Sequence, residues 1–124
     1  METYKINGQD GIPEITLDKE QNQFFFGGRS IPENAVSMYA PAIDWLCKYC
    51  KEPNETTEVS FCFEYINSSS MKQIAKILSL LESIKSTVKV YWHYNEEDSD
   101  NQMHGERLAK LVDFPFVLMP DASK

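Results

Sequence analysis

Apolar and polar residues alternate from Glu14 to Asp18, the two-residue period of a half-buried strand. Asp18 to Asn22 is polar and reads as a turn. Gln23 to Phe26 gives a second strand, closed by Gly27-Gly28, so the pair predicts a β-hairpin. Residues 1–12 are polar, contain Gly8 and Gly11, and predict a loose or edge segment. The period then changes. Ala35, Met38, Tyr39, Ile43, Leu46 and Tyr49-Cys50 recur at three- and four-residue steps, which is one buried face of a helix. Ser30-Ile31-Pro32-Glu33 fits a capping box ahead of it, with Ser30 as N-cap, Glu33 three residues on and proline in the first turn. That helix is expected to run to about Lys51 and to end at Pro53-Asn54.

Glu58 to Ile66 is the strongest strand pattern. Val59, Phe61, Phe63 and Tyr65 face one way, and Ser60, Cys62 and Glu64 the other. Ser70-Met71-Lys72-Gln73 then reads as a second capping box. Ile74, Ile77, Leu78, Leu81 and Ile84 mark a helix reaching about Lys85. Val88, Val90, Trp92 and Tyr94 alternate as another strand. The acidic run Glu96-Glu97-Asp98-Ser99-Asp100 leads into a helix near 99–112, and Phe114 to Met119 reads as a short strand before a polar tail. The expected order is β-β-α-β-α-β-α-β. Strands alternating with helices predict parallel βαβ units with right-handed crossovers. The fold class is therefore α/β, a mixed sheet with flanking helices. The length, 124 residues, fits one domain over 1–124 with one core.

Composition narrows the function. Apolar residues make up 42% and charged residues 25%, so a folded core rather than disorder is expected. The net charge of -7 argues against general nucleic-acid binding, which needs clustered cations, and against docking on an anionic membrane. Met1 to Lys5 has no basic segment leading into an apolar stretch, and no apolar run approaches the ~20 residues that span a bilayer. A soluble, cytoplasmic protein is expected. Cys47, Cys50 and Cys62 are an odd set, which argues against a disulfide framework. Cys47 and Cys50 form a C-x-x-C near the end of a helix. A redox motif should open a helix, and a zinc site would want a second ligand pair, so a helix-surface or core role is the better reading.

Enzyme signatures are missing. The chain has no phosphate-cradling glycine loop and no G-x-S-x-G elbow. His93 and His104 are far apart, and neither has a second ligand four residues on. The acidic run 96–100 offers carboxylates that could hold Ca²⁺ or Mg²⁺, but it lacks the glycine and terminal glutamate of an EF-hand loop. A solvated loop whose carboxylates steady the next helix explains it better. A small metal-dependent enzyme using that run with His93 or His104 is the rival reading, and a passive interaction domain is another.

Asn67-Ser68-Ser69-Ser70 differs in position. It lies where a buried strand hands over to a helix. The first amides of a helix lack intrahelical partners and its dipole is positive there, so an added phosphate is favoured. If Ser70 caps the helix, Ser68 keeps the freer hydroxyl. A plain polar cap would use the same residues.

Several runs then occur together, in order: Pro13-Glu14-Ile15, Ser30-Ile31-Pro32-Glu33-Asn34-Ala35, Trp45-Leu46, Tyr65-Ile66-Asn67-Ser68-Ser69-Ser70-Met71-Lys72, Tyr91-Trp92-His93-Tyr94, Gly105-Glu106 and Pro115-Phe116. Over roughly residues 12–119 the chain resembles the SiaC family of bacterial regulatory phosphoproteins. The resemblance implies a STAS-like fold, similar to anti-sigma-factor antagonists, which carry a phosphorylatable Ser or Thr at a strand-to-helix junction. It implies a non-enzymatic switch with no cofactor, metal or catalytic residue. Its implied partners are a SiaB-like kinase, a SiaA-like PP2C-type phosphatase and a SiaD-like diguanylate cyclase or another effector, which ties the switch to cyclic di-GMP signalling and biofilm control. The family motif typically reads Asn-Thr-Ser-Ser with the threonine modified. The matching position is Ser68, which keeps the hydroxyl without the methyl. Asn67, Ser69 and Ser70 would support the phosphosite, with Ser69 and Ser70 as alternative acceptors. Ser30, Glu33 and Asn34 match the family's segment and by that match are assigned to a possible partner surface.

Overall fold

The computed structural model describes residues 1–122. Six strands form one sheet in sequence order: β1 (Tyr4–Ile6), β2 (Glu14–Asp18), β3 (Gln23–Ser30), β4 (Thr56–Ile66), β5 (Thr87–Asn95) and β6 (Phe116–Asp121). The first three pair antiparallel, and β3 through β6 run parallel. Each parallel step is made by a helix: α1 (Ala35–Tyr49), α2 (Ser68–Glu82) and α3 (Ser99–Ala109). The expected mixed α/β sheet is thus present, with the N-terminal edge segment adding a strand to the expected order. The polar tail expected after β6 extends to residues 123 and 124, which lie outside the described residues.

The helices cover one face. Along β5, Val88, Val90, Trp92 and Tyr94 are buried, while Lys89, Tyr91 and His93 between them stay half-exposed. Trp92, Phe61 and Phe26 form an aromatic row across three adjacent strands, with Phe26 and Phe61 stacked at 5.1 Å and Phe61 5.6 Å from Trp92. Such pairs add to the area they bury. Tyr39, Leu46 and Tyr49 of α1 and Ile74, Ile77, Leu78 and Leu81 of α2 close the core from above.

The sequence reading misplaces several boundaries, each for a local reason. The glycines do not close β3, which continues to Ser30. Gly28 has φ +81°, open to glycine, and marks a register shift between Gly28 and Arg29. Gly28 pairs with Phe63 and Arg29 with Tyr65, so Glu64 is the extra residue of a β-bulge. The bulge breaks the alternation of β4. Tyr65 therefore points outward, 53% exposed, and Ile66 takes the inward place.

Both expected capping boxes also fail. Ser30 is the last residue of β3, paired to Ile66, and Asn34 caps α1 by accepting from the Ser37 amide at 3.1 Å. Ser70 lies inside α2, and Asn67 caps it. In each case an Asn three residues ahead of a first-turn amide outcompetes the serine. The helices end at Tyr49, Glu82 and Ala109, short of the expected ends at Lys51, Lys85 and 112.

Candidate functional site

β4 ends at Ile66 and the chain turns into α2 at Asn67. Asn67 holds an extended backbone, and its Oδ1 accepts from the Ser70 amide at 2.9 Å. This leaves the amides of Ser68 and Ser69 as the outward-facing donors of the first turn. That turn contains no acidic residue. The positive end of the α2 dipole is therefore uncompensated by a local carboxylate.

The three serines are sorted by this geometry. Ser70 is fully buried. It accepts from the Ser30 hydroxyl at 2.9 Å and donates to the Ser30 carbonyl at 3.4 Å. Ser30 Oγ also lies 2.7 Å from the Tyr39 hydroxyl. With Ser30 donating to Ser70, Tyr39 donates to Ser30, and all three hydroxyls are satisfied. Burial pushes the Tyr39 phenol up to about 12, although the neighbouring Ser30 and Ser70 hydroxyls pull the other way. The network is thus neutral and ties α1, β3 and α2 together. Ser69 is exposed, and its hydroxyl donates to Asn67 Oδ1 at 3.2 Å. Ser68, the first helical residue, is exposed, and among the described residues its hydroxyl has no hydrogen-bond partner.

Ser68 stands on the rim of a hollow of about 440 Å³ lined also by Tyr65, Ile66, Asn67, Met71, His104 and Arg107. A second hollow of about 460 Å³ adjoins it and shares Tyr65, Ile66, His104 and Arg107. Glu64, Asp98, Asp100, Asn101 and Met103 complete the second. Together they make a groove between the end of β4 and α3, with Ser68 at one end and carboxylates at the other.

The remaining candidates fall outside this constellation or serve the fold. Ser30 belongs to the buried network rather than to a surface, and Asn34 is engaged as the α1 cap. Glu33 is exposed just ahead of that helix. His93 lies on the uncovered sheet face, 3.5 Å from Asp121, and His104 lies on α3 across the sheet. Asp98 caps α3, accepting from the Asn101 amide at 3.0 Å, and Asp100 sits in its first turn. The acidic run is therefore a helix start. No group of three or more His, Cys, Asp or Glu positioned to hold a metal ion occurs among the described residues. Burial raises the Cys50 thiol and pushes Cys62 up to about 11, which makes them poor nucleophiles. Among the described residues no helix is long and apolar enough to cross a membrane.

Sequence reasoning missed Asn67 as the cap, Tyr39 as the third hydroxyl, and Asn101 and Arg107 in the groove. Only the first had a local signal, an Asn three residues ahead of a buried serine.

The model of the family described as SiaC family regulatory phosphoprotein matches residues 6–121. An uncharacterized protein of Pseudomonas aeruginosa strain UCBPP-PA14 is 27% identical over 121 residues, covering 95% of this chain and 96% of its own length. The crystal structure of apo-SiaC from Pseudomonas aeruginosa superposes with a TM-score of 0.87 at 27% identity, covering 96% of this chain and 99% of that one. A chain in the crystal structure of the diguanylate cyclase SiaD with its activator SiaC, from the same organism, gives a TM-score of 0.87 at 26% identity, covering 95% of this chain and 99% of that one.

Proposed function

The chain belongs to the SiaC family of regulatory phosphoproteins, and from that premise we propose that it is a non-enzymatic switch thrown by phosphorylation of Ser68. A SiaB-like kinase transfers the terminal phosphoryl group of ATP to Ser68 Oγ. A SiaA-like PP2C-type phosphatase hydrolyses the ester. The unmodified form binds and activates an effector, a diguanylate cyclase of the SiaD kind, and so feeds cyclic di-GMP signalling and biofilm control.

The sorting of the three serines carries this reading. Ser70 is buried and bonded to Ser30, Ser69 is bonded to Asn67, and Ser68 alone offers an exposed hydroxyl with no partner among the described residues. A phosphate there gains the outward amides of the first turn and the positive end of the α2 dipole. It also adds about −1.5 to −2 charges to the rim of the groove, enough to change what docks on it. The related SiaC found in complex with the cyclase SiaD supports the choice of effector.

The test is modification by the cognate kinase with ATP, followed by peptide mapping in a mass spectrometer. Ser68 should carry the phosphate and Ser68→Ala should remain unmodified. Ser68→Asp should weaken capture of the cyclase at least several-fold. Phosphate found only at Ser69 or Ser70 would overturn the assignment.

A further inference from the structure

We propose that Arg107 is the residue that reads the phosphate, closing on it from across the groove and thereby changing the charge of the adjoining acidic hollow. This rests on the reading of Ser68 as the modified position. Arg107 is in the last turn of α3, exposed, and makes no ion pair or hydrogen bond among the described residues. It nevertheless lines both hollows: the one that holds Ser68, and the one that holds Glu64, Asp98 and Asp100. An unpaired guanidinium between an acceptor hydroxyl and a set of carboxylates has two possible destinations. In the unmodified protein it faces carboxylates without seating on any of them. A phosphate on Ser68 brings three strong acceptor oxygens into the first hollow, and guanidinium binds such groups through two parallel hydrogen bonds.

The consequence reaches beyond the phosphate. Glu64 is held by Arg29 at 3.3 Å, so once Arg107 turns to the phosphate it is Asp98 and Asp100 that lose a nearby cation, and the second hollow becomes more negative. Tyr65, 53% exposed, and Met103, 45% exposed, line that hollow. Modification at one end of the groove thus alters the surface at the other without any movement of the backbone. Arg107 acts here as a positioning and sensing residue.

Other groups face the same phosphate. Lys72 is one turn on from Ser68 along α2, His104 lies one turn before Arg107 on α3, and the α2 amides point outward. The experiment must separate them. Phosphoserine is placed at position 68 by co-translational incorporation, in the full chain, and its second ionisation is followed by ³¹P NMR. The free group ionises near 6. It should ionise lower in the wild-type background, and Arg107→Gln should raise it by about 1 unit, the size expected for loss of one close opposite charge. Arg107→Lys should recover part of the shift, because it keeps charge but loses the two-pronged contact. Lys72→Gln and His104→Gln should each move it by less than half as much. No change in Arg107→Gln, or a larger change in Lys72→Gln, would overturn the proposal. Because the phosphate is installed without a kinase, failure here leaves the identity of the kinase target standing, and kinase mapping to another serine leaves this titration standing.

Discussion

Two parallel strands, β4 and β5, hand over to helices at the same end of the sheet, and the two junctions are built alike. Each helix is capped by a side-chain oxygen that accepts from the amide three residues on, Asn67 to Ser70 at 2.9 Å and Asp98 to Asn101 at 3.0 Å. Each places an exposed serine first, Ser68 or Ser99. Each buries its third residue and uses it to reach the neighbouring strand. Ser70 donates to the Ser30 carbonyl on β3, and Asn101 Nδ2 donates to the Phe63 carbonyl on β4 at 3.1 Å. The difference is charge. The α2 start is Asn-Ser-Ser-Ser, whereas the α3 start is Asp-Ser-Asp-Asn, with two carboxylates already on the dipole. Of the two exposed serines, Ser68 thus stands at a helix start free of carboxylates and Ser99 at one already occupied by them, which is the difference the proposed phosphosite rests on.

The junctions also differ in how their helices seat. α3 rests on the sheet through Gly105, where an added Cβ would stand 2.5 Å from Trp92 Cδ1 and 2.6 Å from Leu118 Cδ2. Gly105→Ala should have the largest effect of the changes considered. The helix gains about 1 kcal/mol in propensity, yet a Cβ this close to a buried indole puts the overpacking cost at about 3 kcal/mol or more. Lifting α3 also loosens the Trp92 Nε1 bond to the Asn101 carbonyl, 3.1 Å. Urea unfolding should show a net loss of about 2 kcal/mol. Hydrogen exchange should show α3 losing protection while α2 keeps it. A more stable Gly105→Ala protein would mean that α3 does not depend on this close approach.

The buried third residues come next. Ser70→Ala removes an acceptor from Ser30 and a donor to its carbonyl, at a cost of about 1–2 kcal/mol in unfolding experiments, because both groups are neutral. Ser30→Ala should cost a similar amount. The double variant should cost less than the sum by about 0.5 kcal/mol or more, because the residues share one network. Asn101→Ala should fall at the lower end of that range. It takes one donor from the Phe63 carbonyl but also removes Oδ1, a buried acceptor that has no partner among the described residues. Strict additivity at Ser30 and Ser70 would show that the two hydroxyls do not act together.

The legible part of this molecule is the part governed by periodicity. Alternation in β2 and β5 and the stripes of α1 and α2 are visible because one face of each element is buried. What was hidden depends on contacts between distant residues. Ser30 reads as a cap until β4 pairs with it; Tyr65 reads as core until the bulge at Glu64 turns it out. Gly27-Gly28 reads as a stop, although a positive φ at Gly28 lets the strand continue. The serine run was legible as a place, a strand-to-helix junction. Which serine is open was reached through the wrong cap: Asn67, not Ser70, caps the helix, and Ser70 is withdrawn by burial rather than by capping. Arg107 carried no signal, since nothing local relates a residue on α3 to one on α2.

The smallest effect addresses the charge difference itself. Ser69→Asp gives the α2 start a carboxylate where α3 has Asp100, on an exposed position. Its charge meets a positive helix end, so it should stabilise the protein by about 0.3–1 kcal/mol at low ionic strength. Asp100→Ser makes the reverse change and should lose a similar amount. Both effects should shrink as salt is raised, because the groups are exposed and the screening length falls to ~3 Å at 1 M. The loss of the Ser69 hydroxyl's own bond to Asn67, 3.2 Å, works against the gain and sets its lower bound. Urea midpoints for both variants at low and high salt measure all of this at once. If Ser69→Asp stabilises and Asp100→Ser destabilises, with both effects screened, the α2 start has an open anion-favouring end that the α3 start has already filled. If neither variant responds to salt, charge is not what distinguishes Ser68 from Ser99, and the distinction must lie in the groove and its Arg107.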